Sequence, residues 1–306
     1  MDLRGKDIIS IRDLTRAELD HILLTADDME LKARKGSDML RGKIMATLFF
    51  EPSTRTKLSF ESAMYRLGGM SLGFAEAGTA STQKGENLSD TVKVVENYAD
   101  ILVIRHPLEG ASRLAGEVAS VPVINAGSGS EEHPTQAILD IYTMKRECGS
   151  VDDLKVAMVG DLRYGRTVHS LAYALSLYKN VRLFLVSPDL LRMRREVLED
   201  IGRNVEIEEG NDLKKILNDV DVIYMTRIQK ERFADPAEYE TVKGSYRLTQ
   251  ADLRDAKRNS IVMHPLPRVD EIDADVDNTS HARYFKQVWY GLLVRMGLLS
   301  LLLSSS

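Results

Sequence analysis

The sequence predicts an α/β protein of two domains, each built on a mostly parallel sheet flanked by helices. Three observations predict it. The chain has 306 residues, more than one typical hydrophobic core accommodates. From Ile44 onward, short apolar strand-like runs alternate with helix-length segments. Such a rhythm means βαβ units, whose strands run parallel. Finally, Gly and Ser interrupt the chain at Glu147-Cys148-Gly149-Ser150, and a fresh strand begins at Lys155. The domain boundary is expected there, with helix 134–147 connecting the two halves.

An N-terminal helix, Arg16 to Arg34, precedes the first strand. Strands are then expected at Lys43–Phe50, Ile101–Arg105, Pro122–Asn125, Lys155–Gly160, Val181–Val186, Val205–Glu208, Val222–Met225 and Ser260–Met263. Helices are expected at 54–68, 87–99, 110–119, 134–147, 165–179, 189–201 and 211–219. The apolar segment Val288 to Leu303 contains Arg295 and is short for a bilayer, so it reads as a buried core helix. Parallel sheets bind ligands at the C-terminal ends of their strands. The residues that follow each strand are therefore the functional candidates.

Strand 43–50 leads into Ser53-Thr54-Arg55-Thr56 at the start of a helix. Three hydroxyls, a guanidinium and unpaired backbone N–H groups at a positive helix end suit a phosphate. The plain alternative is an ordinary Ser/Thr cap. Arg55 weighs against it, because a cation in the first turn opposes the helix dipole and calls for an anionic partner. Strand 101–105 closes on Arg105, which is costly to bury without a counter-charge. The plain alternative is a pair with a neighbouring acidic side chain. Strand 122–125 leads through a small-residue loop to His133-Pro134-Thr135-Gln136. Pro134 fits the first helical position, which places His133 at the cap and Gln136 one turn in. A lone histidine is usually structural, but one sharing a crevice with two arginines can polarise a carbonyl.

In the second half, strand 155–160 leads into Gly160-Asp161-Leu162-Arg163-Tyr164-Gly165-Arg166-Thr167. This nearly spells a nucleotide-binding P-loop, with Arg166 in place of the lysine. A planar guanidinium matches a carboxylate bidentately, so Arg166 reads as a carboxylate clamp, with the P-loop as the alternative. Strand 222–225 is followed by Arg227 and then Gln229. Strand 260–263 is followed by His264-Pro265-Leu266-Pro267-Arg268, where two prolines fix the loop and Leu266-Pro267 is a candidate cis peptide. The polar stretch 77–86 reads either as a surface loop or as an arm delivering Ser81 and Lys84 to a site elsewhere.

Composition narrows the chemistry. The chain is 43% apolar and carries a net charge of −5, which argues against a general nucleic-acid binder. The N-terminal residues lack an apolar signal core, and neither a membrane span nor a secretory signal is expected. One cysteine, Cys148, permits no intrachain disulfide and fits a cytoplasmic protein. Three His-Pro pairs (106, 133, 264) match no metal-ligand spacing, so no metal site is expected. Arg55, Arg105, Lys84, Arg166 and Arg227 supply the roughly four positive charges that a phosphate ester and a dicarboxylate together need. Those in the first half sit with hydroxyls, as a phosphate requires. Those in the second half do not.

The residues Phe50-Glu51-Pro52-Ser53-Thr54-Arg55-Thr56, Arg105-His106-Pro107, His133-Pro134-Thr135-Gln136, Tyr164-Gly165-Arg166-Thr167, Tyr224-Met225-Thr226-Arg227 and His264-Pro265-Leu266-Pro267 occur in this order. In them the sequence resembles the aspartate/ornithine carbamoyltransferase family over essentially its whole length. Pro265, Arg166 and Arg227 point to the aspartate-using branch, since two arginines would repel ornithine. The resemblance implies two doubly wound domains linked by long helices. Residues 1–134 with 287–306 would bind carbamoyl phosphate, and 135–286 would bind aspartate. It implies transfer of the carbamoyl group to the amine of L-aspartate, an early step of pyrimidine biosynthesis, without metal or organic cofactor. By position, it assigns Ser53, Thr54, Arg55, Thr56, Arg105, His133, Gln136, Leu266 and Pro267 to carbamoyl phosphate. It assigns Lys84, Arg166, Arg227 and Gln229 to aspartate, and catalytic roles to Arg55, Thr56, Arg105, His133 and Lys84. It also implies a homotrimer in which a neighbouring subunit supplies Ser81 and Lys84 to shared sites; in the family, regulatory chains often join a larger assembly. Ser81 stands three residues before Lys84 rather than four, as in some members, which leaves its seat open.

Overall fold

The computed structural model describes residues 1–75 and 85–304. The chain divides into two compact units, Met1–Leu139 with Trp289–Ser306, and Asp140–Val288. Both divisions fall inside helices, α5 (Pro134–Cys148) and α9 (Tyr284–Leu303).

The first unit is built on a four-stranded parallel sheet of β1 (Ile44–Phe49), β2 (Met70–Phe74), β3 (Ile101–His106) and β4 (Val123–Ser128), in the order β2-β1-β3-β4. β1, β3 and β4 are buried along nearly their whole length, as parallel strands covered on both faces must be. On one face Ala46, Leu48, Leu102 and Ile104 pack with Val92 of α3 (Leu88–Val95) and Ala115 of α4 (Ala111–Val118). β2 was not expected from the sequence. It is an edge strand whose residues are mostly exposed, so it lacks the buried apolar run that reveals its neighbours. Gly73 is obligatory within it. Its φ is +138°, and a Cβ there would lie 2.1 Å from the carbonyl oxygen of Thr47, its partner across the ladder.

Helix α1 (Arg16–Lys35) matches its expected span. It starts at a capping box, in which Thr15 accepts from the Glu18 N–H and Glu18 accepts from the Thr15 N–H. The Lys6 ammonium also reaches Glu18. That hydrogen bond, with the Thr15 N–H, pulls the Glu18 carboxyl down from 4.5 to about 2. Arg295 on α9 is buried, donates to the Ser59 hydroxyl at 3.0 Å and lies over the Phe60 ring, so α9 braces α2 (Thr54–Arg66). No helix among the described residues is long and apolar enough to cross a membrane.

The second unit is built on a five-stranded parallel sheet of β5 (Lys155–Val159), β6 (Arg182–Val186), β7 (Glu206–Gly210), β8 (Val222–Met225) and β9 (Ile261–Met263), in the order β7-β6-β5-β8-β9. Its helices are α6 (Arg166–Leu175), α7 (Arg195–Ile201) and α8 (Pro236–Val242). Two expectations need correction. The segment 211–219 forms only a 3-10 turn, Leu213–Ile216, and 189–201 divides into a 3-10 turn and the short α7. α8 was missed, although Asp235 capping the Ala237 N–H ahead of Pro236 is a recognisable start signal.

Both sheets reverse their winding direction. β2 lies on one side of β1 and β3 on the other; β6 lies on one side of β5 and β8 on the other. The chain therefore leaves β1 and β3 in opposite directions, and likewise β5 and β8, and each pair of strand ends frames a crevice suited to a ligand.

Two expected outcomes follow. Glu18 has a depressed pKa in the folded state, so its contribution is present above pH 4.5 and is lost as pH falls toward about 2. Replacing Glu18 with Gln is expected to flatten the acid limb of a stability–pH curve in that window, as read by denaturant unfolding. Gly160 has φ +116°, and a Cβ there would meet the carbonyl oxygen of Thr226 at 2.3 Å. Gly160→Ala is expected to lower stability by about 2–3 kcal/mol in the same assay, since the neighbour is backbone and cannot step aside.

Candidate active site

The first crevice, at the ends of β1 and β3, gathers the phosphate-type candidates. Ser53 is the N-cap of α2, but its side chain makes no capping hydrogen bond, so the plain capping reading does not hold. Its φ of −160° and ψ of 85° turn the chain sharply into the helix. The first turn contains no acidic residue, and Arg55 stands within it. The positive helix end thus carries an added positive charge with no acid in its own turn, an arrangement suited to an anion. Thr54 and Arg55 are exposed, Ser53 is half-buried, and Thr56 is buried.

Arg105, at the end of β3, has a side chain only 11% exposed. It donates to the Ala126 carbonyl at 3.3 Å and to Glu51 at 3.2 Å. The expected counter-charge is therefore the acid that follows β1. The Phe50 N–H donates to the Arg105 carbonyl at 2.8 Å, so the two strand ends that carry Glu51 and Arg105 are stitched together.

The loop between β4 and α5 is held by hydrogen bonds. The Ser128 N–H donates to the Glu132 carbonyl at 3.2 Å, and the Asn125 side chain accepts from the Gly127 N–H and donates to the Ile9 carbonyl. Glu132 is buried, which pushes its carboxyl up, and it accepts from the Ser10 hydroxyl and the Ile11 N–H. On this base His133 caps α5, its carbonyl accepting from Gln136 and Ala137 at 3.0 and 3.2 Å. His133 and Gln136 are both buried, at 4% and 9% exposed.

The second crevice, at the ends of β5 and β8, gathers the carboxylate-type candidates. Arg166 opens α6 and is half-buried. Arg227, following β8, is clamped by both oxygens of Glu231, with Nη1 at 3.1 Å from Oε2. That hydrogen bond raises the guanidinium pKa against the opposing effect of burial. Burial raises the Glu231 carboxyl, but Arg227, a backbone N–H and the charge of Arg232 together bring the net shift downward. Asp161 ties the two loops together. It is fully buried and accepts from the N–H groups of Tyr164 at 2.9 Å and Gln229 at 3.3 Å. Burial raises its pKa. The Gln229 amide donates to the Tyr164 carbonyl at 3.3 Å. The close approach of Gly160 to Thr226 completes this stitching.

After β9, the Leu266-Pro267 peptide is cis, as the prolines suggested. Lys84 and Ser81 lie outside the described residues. The structure thus brings Ser53, Thr54, Arg55, Thr56 and Arg105 to one switch point, with His133 and Gln136 on the neighbouring loop of the same unit. It brings Arg166, Arg227 and Gln229 to the other. Sequence reasoning assigned no role to Glu51, Asp161, Glu231 or Glu271. Each is an acid within ten residues of a candidate basic or loop residue, and charge balance was the available signal.

Comparison with known proteins places the chain. Residues 6–146 match the family profile "Aspartate/ornithine carbamoyltransferase, carbamoyl-P binding domain", and residues 152–302 match "Aspartate/ornithine carbamoyltransferase, Asp/Orn binding domain". The aspartate carbamoyltransferase catalytic subunit of Thermococcus gammatolerans is 56% identical, covering 99% of each chain. That of Methanococcus vannielii is 57% identical over 97% of this chain and 98% of its own. Among solved structures, the catalytic subunit of M. jannaschii aspartate transcarbamoylase is 52% identical with a TM-score of 0.89, covering 96% of this chain and 97% of that one. Aspartate transcarbamoylase from Trypanosoma cruzi, in complex with carbamoyl phosphate and aspartate, is 41% identical with a TM-score of 0.95, covering 99% and 98%. With both domain profiles matched in order and relatives aligned end to end, the chain belongs to the aspartate/ornithine carbamoyltransferase family.

Proposed function

We infer that the chain is an aspartate carbamoyltransferase, a transferase that moves the carbamoyl group of carbamoyl phosphate to the amine of L-aspartate. The products are N-carbamoyl-L-aspartate and phosphate, and the reaction is an early step of pyrimidine biosynthesis. One observation carries this reading: the arginines divide between two switch points of different chemistry. Arg55 and Arg105 stand with three hydroxyls at β1 and β3, and Arg166 and Arg227 stand without such a cluster at β5 and β8. A phosphate needs the first arrangement and a dicarboxylate the second.

In this reading Ser53, Thr54, Arg55, Thr56 and Arg105 hold the phosphate, and the first unit is the carbamoyl-phosphate-binding domain. Thr56, Arg105 and His133 face the carbonyl oxygen. The Gln136 side-chain oxygen and the carbonyls of Leu266 and Pro267 accept the amide hydrogens. Arg166, Arg227 and Gln229, with Lys84, hold the two carboxylates of aspartate, and the second unit is the aspartate-binding domain. The neutral amine attacks the carbamoyl carbon, and the C–N bond forms as the carbonyl electrons move onto oxygen. Donors aimed at that oxygen stabilise the tetrahedral oxyanion. The oxyanion collapses, the C–O bond to phosphate breaks, and the departing phosphate takes the amine proton. No covalent nucleophile on the protein is required. Orientation and charge stabilisation supply the catalysis.

The reading includes a homotrimer with shared sites in the cytoplasm, Lys84 coming from a neighbouring subunit. Two features support another copy on the first unit. β2 is an edge strand with Met70 and Leu72 exposed, and α2, which packs beside it, carries exposed Leu58 and Tyr65. Exposed apolar residues at an unpaired strand edge favour cover by another surface.

The test is a phosphate-release assay with carbamoyl phosphate, with and without aspartate, and with ornithine as the rival acceptor. Release is expected only with aspartate, and sedimentation is expected to give three times the chain mass. Arg55→Ala is expected to lower kcat by about 10³-fold or more with the fold retained in circular dichroism, since it removes transition-state stabilisation. Arg227→Ala is expected instead to raise the aspartate KM by about 10²-fold, with little change in the KM for carbamoyl phosphate.

A further inference from the structure

The loop after β9 carries the two carbonyls, of Leu266 and Pro267, that the functional reading assigns to the substrate amide. The reading gives no role to His264, the buried histidine beneath that loop. His264 is 2% exposed. Its Nδ1 accepts the Leu266 N–H at 2.7 Å, and its Nε2 lies 2.6 Å from Oε1 of Glu271. A backbone N–H can only donate, so Nδ1 carries no proton. Nε2 therefore carries the proton of the neutral ring and donates it to Glu271. Burial pushes the imidazole pKa down, against the pull of Glu271.

Both ends of this arrangement are anchored. The second oxygen of Glu271 accepts the N–H groups of Val269 and Asp270, each at 3.1 Å, which fixes the chain just beyond the loop. The His264 N–H donates to Gln287 at 3.0 Å. Gln287 donates to Asp140 at 2.6 Å, and the other Asp140 oxygen accepts the Tyr224 hydroxyl at 2.7 Å. Asp140, Tyr224 and Gln287 are all buried, so β8, α5 and α9 hold the near end of the loop. Leu266 has φ +56°, a conformation that a side chain of its kind seldom adopts. Nδ1 of His264 is the acceptor that the Leu266 N–H finds in this conformation.

We propose that His264, oriented by Glu271, is a positioning residue whose Nδ1 sets the direction of the Leu266 and Pro267 carbonyls toward carbamoyl phosphate. The inference rests on the functional reading above and deepens it. It divides the imidazole into two jobs that two variants separate. The side-chain oxygen of Asn falls near the place of Nδ1, and the side-chain nitrogen of Gln near the place of Nε2. His264→Asn keeps the acceptor for Leu266, and His264→Gln keeps only the donor toward Glu271.

Steady-state kinetics are to be measured with both variants and the wild type, with thermal unfolding alongside. The carbamoyl-phosphate KM is expected within about threefold of wild type for His264→Asn and raised about tenfold or more for His264→Gln, with the aspartate KM alike in both. A purely structural role would lower both melting temperatures without this split, and equal carbamoyl-phosphate KM values overturn the proposal. If the Gln variant does not fold, nitrogen NMR of histidine-labelled wild type decides. The Nε2–H tautomer at His264 is expected, and the Nδ1–H tautomer overturns the proposal because Leu266 would lose its acceptor. A wild type without turnover overturns the functional reading, and the proposal with it. A wild type that turns over while the variants match overturns the proposal alone.

Discussion

A guanidinium at the end of a buried parallel strand must find an anion, and the rest of this site is arranged around that need. Taking an unpaired charge out of water costs several kcal/mol, about the magnitude of a whole domain's stability. Arg105 stands one residue before the end of β3 and is held by Glu51 and a β4 carbonyl. Arg227 follows β8 and is satisfied by Glu231. In each case the acid lies close in the chain or on the adjacent strand end, so the pair forms as the sheet forms. Pairing of this kind adds little to net stability. Its consequence is directional, since it fixes where each fork of donors points.

The two sheets apply one architectural rule to two kinds of anion. Each reverses its winding beside its first strand, so the chain leaves two adjacent, hydrogen-bonded strand ends in opposite directions. At β1 and β3 the opening is lined by hydroxyls, a helix N-terminus and arginines. At β5 and β8 it is lined by arginines and an amide, with Asp161 buried beneath as a brace. The loops that carry these groups are stitched to one another by backbone hydrogen bonds and by buried acids. Glu132 does this beside β4, Asp161 beside β5, and Glu271 beyond β9. Buried and hydrogen-bonded carboxylates of this sort hold loops without the slack of side chains reaching through solvent.

Much of this was legible in the chain. The elements that position the site, among them β1, β3, α5 and β8, announce themselves by apolar runs and by Pro or Ser/Thr at helix starts. The residues after each strand were legible as candidates because parallel sheets bind at one end only. β2 was not legible, because an edge strand is selected for an unpaired, partly exposed role and carries Gly73 where a side chain cannot fit. The helix expected over 211–219 was not formed beyond a 3-10 turn, because periodicity alone does not say whether a packing surface exists. Ser53 reads as a cap from its neighbours, yet its hydroxyl makes no capping bond.

The sequence by itself determined the alternation of strands and helices, the placement of arginines and hydroxyls after particular strands, and the family. These depend on local pattern and on residue type, which the chain carries in linear form. Only the tertiary structure decided the order of strands in each sheet, and hence which strand ends are neighbours. It alone paired Arg105 with Glu51 across fifty-four positions of chain, and brought Gln287 to Asp140 across one hundred and forty-seven. Such partners are chosen by packing, because a buried charge or amide accepts whichever complementary group the fold delivers within about 3 Å.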